Sequence, residues 1–508
     1  MPKLMMKCRN RFAGSSVIAL LALTGCMVGP KYHVPPATAQ APPATYKESP
    51  VQFQDTDGWK VAQPQDAMLR GKWWEIYNDP ELNALEDQLN INNQNIKQSF
   101  ENFLAARALI AQARSQLYPT VGTSPAYTHS RSSANLSNSA TANTGTVSSL
   151  ESLPFDVSWE PDLWGKVRNT IREAQYNAQL SAADLENERL TEQASLAEFF
   201  FEIRGQDALQ NVLNTTVEAD KKALELAQAR YGTGVDDRIS VVEAENTLQN
   251  VQSQAINLGV ARAQYEHALA VLVGKSASAF SIPVKAVLTD PPAIPIGMPS
   301  ALLERRPDIA GAERTMASAN AQIGIAYAAF YPSLTLSASG GFESSAFSHL
   351  FDWPSRFWSI GPSINETIFD AGLRRATVNQ YVATYNADVA GYRQTVLTAF
   401  QQVEDYLAAT RILSQQILRQ QQAAKSAEEY VKLEIARYET GIDPYVNVVT
   451  AQTTLLSDQE SLATLHVQEM TSSVQLIEAL GGGWDRSQLP TPGQVSKKLD
   501  KSDTTIQR

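Results

Sequence analysis

Few residues in this chain have the type and spacing that covalent or acid–base chemistry needs. The five histidines, His33, His129, His267, His349 and His466, are scattered, and none has metal-ligand spacing. Gly232-Thr233-Gly234 closes a helical stretch instead of following a strand, and it lacks the continuation of a phosphate loop. Gly481-Gly482-Gly483 is likewise a helix end, and the many serines lie in loops without a partnered base. This inventory argues against an enzyme and calls for no metal and no cofactor. The chemistry left is of two kinds: a thiol near the N-terminus, Cys26, and glycine turns at the ends of long helices.

Those turns occur twice. Arg230-Tyr231-Gly232-Thr233-Gly234-Val235-Asp236 returns 207 positions later as Arg437-Tyr438-Glu439-Thr440-Gly441-Ile442-Asp443. Each copy is followed, 44 residues after its Arg, by Gly274 or Gly481, and each half opens on a Tyr-Pro pair, Tyr118-Pro119 or Tyr331-Pro332. Repetition with conserved internal spacing predicts a fold of two related halves.

The N-terminus reads as a targeting segment. Lys3, Lys7, Arg9 and Arg11 precede a short apolar run from Phe12 to Leu23, which ends in Leu23-Thr24-Gly25-Cys26. A small residue before Cys resembles the bacterial lipoprotein processing box, which implies cleavage before Cys26 and a covalent lipid on its thiol. Cys8 falls in the removed part, so no disulfide framework remains. Loss of residues 1–25 takes away four basic residues and moves the net charge from −11 to −15. An acidic exported chain is a poor nucleic-acid binder. Beyond the signal no apolar run reaches the roughly 18 residues of a membrane helix, so any deeper membrane contact must be made by strands.

The expected organisation is a signal peptide over 1–25, an acylated extended leader over 26–65, and a first helix and strand repeat over 66–274. A proline-rich linker over 275–306, a second repeat over 307–483 and a polar, disordered tail over 484–508 complete it. Asn78-Asp79-Pro80 is a helix start, with Pro80 at the first helical position. Proline-free stretches predict helices over about 166–230 and 371–437, each roughly 100 Å long at about 1.5 Å per residue. Val396, Val403, Thr410 and Ile417, with Ala399, Tyr406 and Leu413, repeat every seven residues, and Leu248, Val251, Ala255 and Leu258 step by three and four. That is coiled-coil packing.

Strands are few. Leu153, Phe155, Val157 and Trp159 alternate with Pro154, Asp156, Ser158 and Glu160. Leu334, Leu336 and Ala338 alternate with small polar residues, as do Trp358, Ile360, Pro362 and Ile364, and Tyr118 to about Ser130 is a weaker fourth strand. Strands of about ten residues with one apolar face cross a bilayer when tilted. Trp159, Trp164, Phe357 and Trp358 sit where an aromatic girdle belongs. Four strands cannot close, and an open edge in lipid leaves unpaired backbone groups. Two chains give eight strands and a filled interior; three give twelve. Inward-facing Asp156, Ser158, Glu160 and Asn365 favour a wet lumen and three.

Several further stretches carry a family resemblance: Cys26-Met27-Val28-Gly29-Pro30-Lys31-Tyr32; Trp73-Trp74 with Asn78-Asp79-Pro80-Glu81-Leu82; Leu302-Leu303-Glu304-Arg305-Arg306-Pro307-Asp308-Ile309 with Ala312-Glu313; and Ala328-Ala329-Phe330-Tyr331-Pro332. Together they resemble the TolC-like outer-membrane factors, in the lipoprotein branch that serves drug-efflux pumps of the resistance-nodulation-division type. The resemblance implies a mixed, mostly α fold: a homotrimer with a twelve-stranded barrel in outer-membrane lipid above a long periplasmic α-barrel. Its partners would be a periplasmic adaptor and an inner-membrane pump. It implies adaptor docking at the tips, Gly232, Thr233, Gly234, Thr440 and Gly441. It implies an entrance ring just past the second tip, where Val446 matches an apolar position and Thr450 stands where an acidic residue is expected. Glu243, the first-repeat equivalent of Thr450, is the candidate to supply that charge.

Arg306-Pro307-Asp308 reads as architecture, with Asp308 at the positive end of a helix. Phe347, Phe351 and Trp353 are either an outer lid or loop anchors. Two other functions stay open: a duct for secreted polypeptides, and a non-conducting coiled-coil envelope lipoprotein.

Overall fold

The computed structural model describes residues 27–38, 46–48, 71–133, 147–286, 289–294 and 302–497. The signal peptide, Cys26, most of the 131–149 loop and residues 498–508 lie outside the described residues.

The duplication is visible in helix lengths. In the first half, α1 (Pro80–Asn92) and α2 (Gln94–Ser115, 22 residues) lead to strands, then to α3 (Lys166–Gly232, 67 residues) and α4 (Arg238–Leu272, 35 residues). In the second half a single turn, Leu302–Arg305, leads to α5 (Pro307–Ala328, 22 residues), then strands, then α6 (Leu373–Glu439, 67 residues) and α7 (Tyr445–Ala479, 35 residues). At about 1.5 Å per residue α3 and α6 are each roughly 100 Å long. The predicted starts hold: Asp79 caps α1 through Glu81 N and Leu82 N, ahead of Pro80.

Each 35-residue helix abuts a 22-residue one end to end. Gly274 (φ +70°) ends the first, with the Asn92 carbonyl so near that a Cβ would stand 2.7 Å from it. Asn93 Nδ2 donates to the Leu272 carbonyl across the joint. In the second half Gly481 (φ +94°) faces the Arg305 carbonyl, which a Cβ would meet at 2.0 Å, and Arg306 Nη1 donates to the Ala479 carbonyl. Helix-end carbonyls need such partners. Arg306 also holds Asp308, at 3.0 and 2.6 Å, and Gln402, at 2.8 Å, the architectural role read from sequence.

Four columns result: α2 with α4, then α3, then α5 with α7, then α6, each packed on the next. The seven-residue rows face inward, with Val396, Ala399, Val403 and Ile417 buried. Among the described residues the first and last columns have no partner on their outer flanks, and both carry exposed apolar side chains. Ile256, Val260 and Val271 stand on α4, and Leu397, Ile412, Leu418 and Leu433 on α6.

The sheet is built the same way. β1 (Thr120–Thr123) and β2 (Ala126–Arg131) both pair with β3 (Val147–Trp159), so they are one strand interrupted at Ser124-Pro125. Proline there cannot donate to the ladder. β3 pairs with β4 (Ser333–Ser344), and β4 with β5 (Arg356–Asn365), all antiparallel. The weak fourth strand of the sequence is therefore real, and among the described residues both sheet edges are open. No described helix is long and apolar enough to cross a membrane.

Two sequence expectations change. Residues 484–497, read as the start of a disordered tail, are packed. Val495 is buried against Ile110 and Ala178, Thr491 and Gln494 form a capping box, and Arg114, Arg107 and Gln179 take the carbonyls of Ser496, Lys497 and Pro490. Polar composition hid this, because the segment is held mainly by hydrogen bonds to its backbone. Phe357 leaves the girdle: it pairs with Gly341, so alternation puts it on the polar face, opposite Trp358.

The described parts of the leader, residues 27–38 and 46–48, are held on the helices. Val28 N donates to Trp164 O, Tyr32 OH to Glu313 Oε1 at 2.6 Å, and Arg393 Nε to the Pro36 carbonyl. Glu48 meets Arg411 at 2.9 Å. These described parts lie against the helices as far as Arg411.

Candidate functional site: the strand face and the helical tips

Cross-strand register sorts the sheet into two faces. Rows Phe155–Gly340–Trp358, Val157–Ala338–Ile360 and Trp159–Leu336–Pro362 lie on one. Trp358, Ile360, Ile364 and Val121 are 70–79% exposed there. Rows Asp156–Ser339–Ser359 and Ser158–Ser337–Gly361 lie on the other, where Ser339 Oγ donates to Asp156 Oδ1 at 2.7 Å. An exposed, strand-wide apolar face beside a polar one suits lipid on one side and water on the other. At the helix end of the sheet, Trp164 Nε1 donates to the Pro332 carbonyl and stacks on Tyr331, while Trp159 Nε1 reaches the Leu117 carbonyl. Beyond the far end Phe351 packs edge-on against Phe342, yet it stays exposed, as do Phe347 and Trp353.

At the other pole the two tips share one geometry. Gly234 (φ +74°) and Gly441 (φ +75°) supply the left-handed turn. Val235 N and Ile442 N return to the Arg230 and Arg437 carbonyls, and Thr233 and Thr440 hydroxyls donate to the carbonyls three and four residues back. Gly232, by contrast, is the last helical residue, with open space beside it. Val235 and Ile442, at equivalent positions, are 64% and 66% exposed.

The tips are also clasped together. Tyr438 OH donates to Asp236 Oδ2 at 2.5 Å, Arg230 Nη1 donates to the Glu439 carbonyl at 2.9 Å, and the Arg230 guanidinium lies 4.6 Å from the centre of the Tyr438 ring. Burial, with the Asp236 carboxylate beside it, raises the Tyr438 phenol above its ordinary value. Burial pushes Asp236 up, but hydrogen bonds from Tyr438, Asp237 N and Ser240 outweigh it and hold the carboxyl low. Arg437 is tied within its own tip, to Asp443. None of the clasp was picked out from sequence. Its signal was the Arg-Tyr pair repeated in both halves, with different partners in each.

The predicted ring residues are only partly brought together. Val446 is 48% exposed and shares a face of α7 with Thr450, whose hydroxyl donates to the Val446 carbonyl at 2.8 Å. Glu243 is half-buried on α4, near Tyr445. The first-repeat equivalent of Val446 is Ile239, which is 64% exposed and was missed from sequence. Beneath the clasp Tyr438, Tyr445, Val448, Ala227 and Ala244 form a small core.

Asp220, near Tyr445, is 2% exposed, and neither of its carboxylate oxygens has a partner among the described residues. Burial pushes its carboxyl up to about 6 from an ordinary value of 3.8. Folding therefore takes up a proton between about pH 4 and 6, and stability falls as pH rises through that window. Above it the buried charge costs on the order of 1–3 kcal/mol. Asp220→Asn is expected to raise the thermal midpoint at pH 7.5 and to leave it unchanged at pH 4, by calorimetry.

A strand sheet with one lipid-compatible face, set on a sheath of helices far longer than a compact domain, defines an outer-membrane channel subunit. The comparisons agree. The chain belongs to the outer membrane efflux protein family, which it matches over residues 85–275 and 298–482. It is similar to the toluene efflux pump outer membrane protein TtgF of Pseudomonas putida, 31% identical over 92% of this chain and 96% of the relative. It is also similar to the outer membrane protein OprJ of Pseudomonas aeruginosa, 31% identical over 93% and 96%. Among solved structures, the outer-membrane channel OprN superposes with a TM-score of 0.80 at 25% identity, over 90% of this chain and all of that one. The CmeC channel of Campylobacter jejuni shares the fold, with a TM-score of 0.81 at 22% identity over 94% of this chain and all of that one. The protein is an outer-membrane efflux channel, in a family of channels and not of enzymes.

Proposed function

We propose that three copies of this chain form the exit duct of a tripartite efflux pump, conducting small molecules passively from periplasm to exterior, with its gate at the helical tips. One observation carries the reading. Among the described residues the row of four helical columns and the sheet of four strands are both open at their two ends, and the columns alternate composite, long, composite, long. Packing α6 of one copy on the α2 and α4 column of the next would therefore repeat the contact already made inside the chain by α3 on α5 and α7. The open edges of β5 and of β1 with β2 run antiparallel and pair in the same step. Three copies leave the Asp156 face around water; two would bring it together in a filled interior.

A lipid on Cys26 fits this arrangement. The next described residues are fixed beside Trp164, where β3 passes into α3, so the anchor would emerge at the membrane's periplasmic boundary. The exposed Val235 and Ile442 give the tips an apolar contact for a periplasmic adaptor, with Gly232, Thr233, Gly234, Thr440 and Gly441 setting the turns that present it. The energy would come from an inner-membrane pump. The name of the toluene-pump relative makes aromatic solvents the first compounds to test.

The reading is tested by single-channel current from the purified protein in planar bilayers, with drug and solvent sensitivity of a deletion strain. Discrete long-lived conductance and restored resistance on complementation support a duct; a silent bilayer favours the envelope-spacer alternative. At the entrance, Val446→Ala is expected to raise leak current several-fold, and Ile239→Ala combined with it to raise it further. An unchanged current would remove both from the constriction.

A further inference from the structure

We propose that Asp290, His466 and Glu469 form a binding site for a divalent first-row transition metal, which pins the linker between the two repeats to α7. His466 and Glu469 lie three residues apart on α7 and so share one helix face. Asp290 comes from the linker, 176 positions earlier in the chain. One ligand atom from each lies within 4.8 Å of the other two, and His466 Nδ1 is 3.9 Å from Asp290 Oδ1. Asp290 is 88% exposed at its side chain, so it is the member free to rotate and close those distances to metal-bond lengths of about 2.0–2.2 Å.

The second observation is Glu469 itself. It is 6% exposed, aimed into this cluster, and accepts no hydrogen bond from any described residue. A buried carboxylate without a partner is costly and calls for a counter-charge or a proton. One imidazole and two carboxylates match zinc, manganese or iron(II) better than calcium or magnesium, which favour all-oxygen shells. Two carboxylates also neutralise a divalent ion, and three protein ligands leave coordination positions for water.

The linker is built to deliver Asp290. Lys285 N donates to Asp207 Oδ2 at 2.8 Å and Arg204 Nη1 to the Pro283 carbonyl at 2.8 Å, which fixes one side. Ile294 enters the main core on the other. A bound ion would complete this girth of the helical sheath between two points already anchored.

The test uses the full-length protein purified without a histidine tag. Zn2+ is titrated by calorimetry, and its position is read from anomalous diffraction at the zinc edge. One ion per chain is expected between the three side chains, with a rise in thermal midpoint on addition. His466→Gln and Asp290→Asn should each lower affinity by about ten-fold or more. Asp290→Asn is the informative variant, because its exposed side chain can change without disturbing packing, whereas Glu469→Gln removes a buried group. Zinc affinity equal in wild type and in the Asp290→Asn/His466→Gln double variant would overturn the proposal. A Glu469→Gln protein more stable than wild type, with zinc adding nothing to either, would show a neutral buried acid instead and overturn it equally.

Discussion

Tyr438→Phe is expected to hold the duct open. The phenol donates a hydrogen bond from the second tip to the Asp236 carboxylate of the first, and Asp236→Asn should act in the same direction. A hydrogen bond to a charged group is worth about 1.5–3 kcal/mol, and about 1.4 kcal/mol is a tenfold change in an equilibrium. Loss of this bond should therefore raise the open fraction by roughly ten- to a hundred-fold, seen as a larger and more frequent open level in single-channel records. Tyr430→Phe, on the exposed flank of α6, should leave the records unchanged. Equal conductance in Tyr438→Phe and wild type would move the gate elsewhere.

The second large effect concerns the strand face. Ile360 sits mid-strand, 77% exposed, in the row Val157–Ala338–Ile360. Ile360→Arg places a charge against hydrocarbon, at about 2–4 kcal/mol per chain near the bilayer midplane. In the proposed trimer three copies would repeat that cost in one barrel. Assembled protein in outer-membrane fractions should fall to a small part of wild type. Ser359→Arg, one residue away on the polar face, should assemble normally and change ion selectivity. Equal assembly of the two variants would mean that the apolar face does not meet lipid.

Much of this was legible in the residues. The repeat of Arg-Tyr-x-Thr-Gly with fixed spacing to Gly274 and Gly481 gave the two halves. The proline-free stretches placed both long helices to within two residues, because a helix that long tolerates proline only at its ends. Period two marked the lipid face of β3 to β5. What stayed hidden depends on contacts distant in sequence. The clasp joins residues about 200 apart, and Asp290 and His466 are 176 apart. The packed segment 484–497 has too little apolar surface to announce itself, since its hold comes from arginine and glutamine donors on α2 and α3. Thr450 shows the reverse: its departure from the acidic residue implied by resemblance was plain in the sequence, and the structure satisfies its hydroxyl within its own helix.

The claim on which the rest depends is that copies of this chain close a ring by joining the free edge of β5 to the free edge of β1 and β2. It is tested most directly by pairs of single cysteines, one in Ala126–Arg131 and one in Arg356–Asn365 of the same chain, oxidised in outer membranes and run on denaturing gels. The expected result is a ladder that stops at three chains, from those pairs that lie opposite each other across the seam. A ladder that stops at two, one that runs on without limit, or only monomer from every pair tried, would contradict it.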